Sequence, residues 1–205
     1  MARARTIVLW LLTAQVVILA ATGAALYFVY RPEAAAAWTD TYGVGSALGR
    51  EVRVAHLAQD LHRVAAWLAL PTSIVAAVLL TLRTRPTERV APGLATGVGL
   101  VLAVVAASVT GYLLPWDQLA LFAVTVGENI SGYTWLRDGS VRFVLMDGIE
   151  ILPRTLLKWL VLHVVLGVAV VGLTALGWRR ARRTPPIEPA APAANEPSAE
   201  VPVGV

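Results

Sequence analysis

Long apolar runs separated by short polar or basic segments dominate the chain. A helix needs roughly 20 apolar residues to cross a hydrocarbon core of about 30 Å. Four runs reach that length, at about 7–30, 54–82, 93–114 and 156–178. They predict an all-α membrane protein, a four-transmembrane-helix bundle whose outer surface faces lipid. The first run is longer than the apolar region of a signal peptide. It ends in bulky Leu26-Tyr27-Phe28-Val29-Tyr30 before Arg31-Pro32, with no small-x-small cleavage site at that end, so it is expected to be a retained span.

The basic residues set the topology. Arg3 and Arg5 precede the first span, Arg83, Arg85 and Arg89 separate the second and third, and Arg179, Arg180, Arg182 and Arg183 follow the fourth. With an even number of spans these clusters fall on one side. The positive-inside rule makes that side cytoplasmic, with both termini there, as in a bacterial-type inner membrane. The opposite side receives the longer segments 31–53 and 115–155. Six of the twelve prolines lie after Arg183, so 184–205 reads as a disordered cytoplasmic tail behind a membrane domain at 1–183.

Composition agrees. The 205 residues are 57% hydrophobic and only 15% charged, against about 25% charged in a soluble domain, and the mean hydropathy is +0.67. The net charge of +4 sits in the topology clusters rather than on one face, which argues against nucleic acid. Cysteine is absent, excluding disulfides, iron–sulfur clusters, zinc–thiolate sites and covalent haem attachment.

Three histidines carry the remaining chemistry. Counted from the outer ends of spans two and four, His62 and His163 come to similar depths. Two neutral imidazoles at one level on neighbouring helices either hydrogen-bond across the bundle or supply the fifth and sixth ligands of a haem iron. His56 lies about 240° round the helix from His62 and reads as an interface residue. In span three, Gly97 and Gly111 are fourteen residues apart, about 21 Å along nearly one face. Missing side chains there would admit either a close helix or something flat and wide.

The string Thr110-Gly111-Tyr112-Leu113-Leu114-Pro115-Trp116-Asp117-Gln118, continuing LALFAVTVGENISG, resembles the end of the third helix and the segment after it in the cytochrome b/b6 family, which reads G-Y-x-L-P-W-G-Q there. Three other segments are similar in the same order. Thr22-Gly23 through Tyr30-Arg31-Pro32 is like T-G-x-x-L-x-x-x-Y-x-P, Leu61-His62 is like the family's first L-H, and Thr155-Leu156 with Lys158 and His163 is like T-L-x-R-x-x-x-x-H. The resemblance covers about 7–180, the family's four-helix amino-terminal half.

This resemblance implies two stacked haems, each held by one histidine from helix two and one from helix four, with ligands fourteen residues apart in each helix. At those second positions stand Ala76 and Gly177, and Leu9 replaces a packing glycine fourteen before Gly23. The expectation is therefore one haem b at the outer position, with His62 and His163 as axial ligands and Gly23 and Gly111 packing beside it. Lys158 and Arg63, with Arg154 nearby, are expected near its propionates, although Gln59 replaces one family arginine. Gly97 is left without a role. The tryptophans at 38, 116, 135 and 159 fit an outer aromatic belt and Trp178 an inner one.

By the same resemblance, the segment after Trp116 forms amphipathic helices on the outer face, covering part of a quinol pocket. Glu128, Asp147 and Glu150 there read first as solvated loop acids and second as proton acceptors. The implied function is electron transfer between quinol and a redox partner by a membrane cytochrome b subunit, not catalytic alone. It would work with a carboxy-terminal-half subunit and a Rieske-type or other redox protein. A relay or anchor for an outer-face dehydrogenase, and a haem-free structural or assembly subunit, are the alternatives.

Overall fold

A computed structural model describes residues 2–37, 51–82, 90–129 and 152–183. Five helices follow in chain order: α1 (Ala2–Val29), α2 (Glu51–Thr81), α3 (Val90–Leu113), α4 (Gln118–Asn129) and α5 (Pro153–Arg183). Four of them, all but α4, are long and apolar enough to cross a membrane. No strand occurs among the described residues. Each helix starts three to five residues before the predicted span, and the last also runs on through Arg179–Arg183, because a helix carries its flanks into the interface. The tail 184–205, Trp38, Trp135, Asp147 and Glu150 lie outside the described residues, as do the side chains of His56 and Glu128.

The four long helices run up and down in a ring. α1 packs along α2, α2 along α3 and α3 along α5, while a sparser α1–α5 contact closes the ring. α2 and α5 stand on a diagonal and barely touch. Small side chains make the ring tight. The buried stripe of α2 is Ala65, Ala69, Ser73 and Ala76, all at three- or four-residue spacing, ending at Leu80. Such stripes let helix backbones approach where lipid offers no hydrophobic drive for association. Leu12, Val16, Leu100, Ala103, Val104 and Val170 fill the middle between them.

Buried hydroxyls are satisfied within their own helices. Thr96 donates to the Pro92 carbonyl at 3.0 Å, Ser73 to Leu70 at 2.7 Å and Thr174 to Val170 at 2.8 Å. In hydrocarbon an unpaired polar group costs several kcal/mol, so this back-bonding is what makes these residues tolerable in a span.

The two ends of the ring differ. At the end rich in arginine, Arg5 donates to the Ala181 carbonyl at 3.2 Å, and Trp178 Nε1 donates to Thr13 Oγ1 at 2.8 Å. Trp10 meets Trp178 edge to face at 5.0 Å, and the Arg182 guanidinium lies 5.7 Å from the Trp178 ring centre. At the other end the Tyr30 hydroxyl donates to the Leu114 carbonyl at 2.9 Å, tying the exits of α1 and α3. The chain leaves α3 through Trp116, whose φ of 47° is unusual for a bulky residue. Asp117 Oδ1 then accepts from the Ala120 amide at 2.8 Å, capping α4 where it starts. Trp116 and Trp159 pack on the buried Leu113 and Ala120, which seats α4 against the bundle.

Candidate functional site: a histidine pair across the bundle diagonal

His62 lies in the fourth turn of α2 and His163 in the corresponding part of α5. Their ring centroids are 6.1 Å apart, with 55° between the ring planes. The expected common depth is thus present, but the helices are not neighbours. They face each other across the diagonal, and α1 and α3 occupy the other two corners. Meeting through the centre of the ring is eased by a glycine on each corner helix at this level, and the one on α3 is the more demanding.

Gly23 on α1 lies against His62, and Gly111 on α3 against His163. A Cβ at Gly23 would stand 3.3 Å from His62 Cε1, and one at Gly111 would stand 2.8 Å from His163 Cε1. The space released by each glycine is used by an imidazole. Sequence reading found both glycines through their spacing and the family string, but not that the histidine rings themselves require them.

Both rings are fixed through Nδ1. That of His62 is 2.9 Å from Thr22 Oγ1. That of His163 is 3.1 Å from Thr110 Oγ1 and 2.9 Å from the Ala107 carbonyl. Each threonine directly precedes one of the two glycines, so a Thr-Gly dipeptide cradles each histidine. Sequence reasoning assigned these threonines no role. Their signal was the recurrence of Thr-Gly near the end of two spans.

With Nδ1 committed to the protein, Nε2 is the nitrogen each ring has left for a further partner. Two imidazoles bound on opposite sides of one metal, with metal–nitrogen bonds of about 2 Å, have ring centres about 6 Å apart. The observed separation fits that arrangement. No group of three His, Asp or Glu residues forms among the described residues. A metal held by this pair would take its other ligands from a group of its own, as the iron of a porphyrin does.

The remaining candidates spread outward from the pair. Lys158, five residues before His163, holds its ammonium 5.2 Å from the centre of the Trp159 ring. Arg63 and Arg154 are exposed.

Fourteen residues below the histidines the bundle is closed. Ala76 is buried, and a Cβ at Gly177 would stand 3.4 Å from Leu9 Cδ2 and 3.5 Å from Leu80 Cδ1. Leu9 itself is buried. Gly97, which the sequence left unexplained, faces α2. A Cβ there would stand 2.7 Å from Ala77 Cα. One turn away, a Cβ at Gly93 would run into the backbone carbonyl of Leu80. The pair forms a G-x-x-x-G seam between α2 and α3.

Comparison with known proteins agrees with this architecture. The family described as Cytochrome b/b6/petB matches residues 6–181. The cytochrome b subunit of menaquinol:cytochrome c reductase from Geobacillus thermodenitrificans is 31% identical over 171 residues, covering 79% of this chain and 71% of that protein. Cytochrome b6 from Heliomicrobium gestii is 28% identical over 75% of this chain and 71% of its own length. Cytochrome b6 from Porphyra purpurea is 30% identical over 70% of this chain and 65% of its own. With four spanning helices and a match over nearly all of the region that holds them, this chain is a multi-pass membrane protein of the cytochrome b/b6 family.

Proposed function

We propose that the chain is the single-haem cytochrome b subunit of a quinol:cytochrome c reductase-type complex, carrying electrons between quinol and a redox partner. The observation that supports it most is the 6.1 Å separation of two imidazoles whose Nδ1 atoms are both held by the protein. In this reading Nε2 of His62 and Nε2 of His163 would hold the iron of one haem b, and Gly23 and Gly111 give the rings their place. The haem supplies one-electron chemistry when bound. The protein supplies its axial nitrogens, a dry surround and a fixed depth in the membrane. Lys158 and Arg63 are the cations for the propionates.

A single haem is favoured because, among the described residues, none at the opposite level of these two helices offers a ligand. Ala76 and Gly177 stand there, and Leu9, Leu80 and the Gly97–Ala77 contact occupy the volume. The arginine clusters place that closed end on the cytoplasmic side and the histidine pair toward the outer face. Quinol, a carboxy-terminal-half subunit and a Rieske-type or other redox protein are the partners of this reading. The chain is not catalytic alone.

A reduced-minus-oxidised spectrum of the purified chain, with haem counted per polypeptide, tests the proposal. One haem is expected, and His163→Leu removes its α-band. A ratio of two overturns the single-haem reading. A wild-type chain without an α-band would leave a haem-free structural subunit.

A further inference from the structure

Thr22 and Thr110 sit where a back-bonded threonine of a membrane helix would draw no notice. Thr22 donates its hydrogen to the Ile18 carbonyl at 2.6 Å, and Thr110 donates to the carbonyls of Ala106 and Ala107 at 3.0 and 2.9 Å. A hydroxyl whose hydrogen is used in this way presents only lone pairs to anything else. The atom each presents them to is a histidine Nδ1, at 2.9 Å for His62 and 3.1 Å for His163. The second partner of His163 Nδ1 is the Ala107 carbonyl, which can only accept. Acceptors on this side require hydrogen on Nδ1 and leave the lone pair on Nε2.

The two cradles are built alike but are not equally redundant. Each threonine stands three residues after a backbone carbonyl of its own helix, Leu19 on α1 and Ala107 on α3. On the α5 side that carbonyl makes a 2.9 Å bond to Nδ1. On the α2 side the bond from Nδ1 goes to Thr22 Oγ1. Removing Thr110 Oγ1 leaves His163 anchored, whereas removing Thr22 Oγ1 takes away the main anchor of His62.

We propose that these Thr-Gly cradles fix both histidines as the Nδ1–H tautomer and set the redox potential of the site, with Thr22 as the dominant positioning residue. The potential part rests on the haem reading above. A hydrogen bond accepted from Nδ1–H pushes electron density toward Nε2. That favours the ferric over the ferrous state and lowers the potential.

The test uses the full-length chain in detergent as wild type, Thr22→Val, Thr22→Ser and Thr110→Val. Nitrogen-15 spectra of the histidines in the haem-free chain read the tautomer, and redox titration of the haem-loaded chain reads the potential. Wild type is expected to show Nδ1–H on His62 and His163. Thr22→Val should shift the reduction equilibrium about tenfold toward the ferrous form, about 59 mV for one electron. Thr22→Ser, which keeps the hydroxyl, should restore the wild-type value, and Thr110→Val should move it by less than about threefold.

Nε2–H on His62 in the wild-type chain overturns the proposal whether or not any variant folds. So does a Thr22→Val potential equal to wild type, or a Thr110→Val shift as large as that of Thr22→Val. Loss of the α-band from the wild-type chain overturns the haem reading and the potential claim with it, whereas the nitrogen spectra still decide the tautomer.

Discussion

At the scale of single residues, the two glycines beside the histidines are not equivalent. An added methyl at Gly23 would meet His62 at 3.3 Å, a tight contact that a few tenths of an ångström relieve. At Gly111 it would meet His163 at 2.8 Å, and the ring would have to move. Gly111→Ala should therefore cost about 1–3 kcal/mol of overpacking and turn His163 away from its partner, while Gly23→Ala stays below about 1 kcal/mol. Haem retained per polypeptide after purification checks this, with Gly111→Ala losing most of it and Gly23→Ala keeping it. The histidines and glycines were legible in the sequence, because imidazoles are rare in spans and the glycines belong to a specific string. The threonines were not. Nearly every threonine in such a helix bonds back to its own carbonyls, and only the fold shows which of them also faces a ring.

At the scale of elements, hydropathy located the four spans, and each proves to be one helix with added polar flanks. What a hydropathy pattern cannot specify is which helices stand side by side. It records depth along the membrane normal and carries no information about position in the plane. The expected adjacency of the histidine-bearing helices therefore gave way to a diagonal. Gly97 illustrates the same limit, since its fourteen-residue spacing from Gly111 left a flat ligand and a close helix both open, and only the fold shows its neighbour to be Ala77 on α2. The start of α4 shows a signal that the sequence reading did not single out, since Pro115-Trp116-Asp117 is a helix-stop followed by a capping residue. Asp117→Ala should weaken that cap by about 1 kcal/mol. Hydrogen exchange is expected to accelerate at the Ala120 amide while α1 and α3 stay protected.

At the scale of the whole molecule, the bundle is lopsided, with paired imidazoles near one end and leucine side chains filling the other. On the proposed function, redox chemistry is confined to one face. The closed level lies fourteen residues away, about 21 Å along the helices. In sealed proteoliposomes of uniform orientation, a membrane-impermeant reductant added on the histidine side should reduce the haem promptly. The same reductant trapped on the arginine side should not. Equal rates from both sides would show a second route through the chain. The chain contains no cysteine, so single introduced thiols beside Tyr30 and Arg182 report that orientation without background.

The seam at Gly93 and Gly97 bears on how the protein matures. Backbones this close cannot slide or part without surrendering contacts along two turns, so α2 and α3 are pinned where they meet. On the proposed function, assembly with a rigid planar molecule would then proceed as a clothes-peg opens, the jaws at His62 on α2 and Thr110 on α3 yielding while the pivot holds. A covalent clamp placed across the jaws should block loading, and one placed beside Ala77 should leave it untouched.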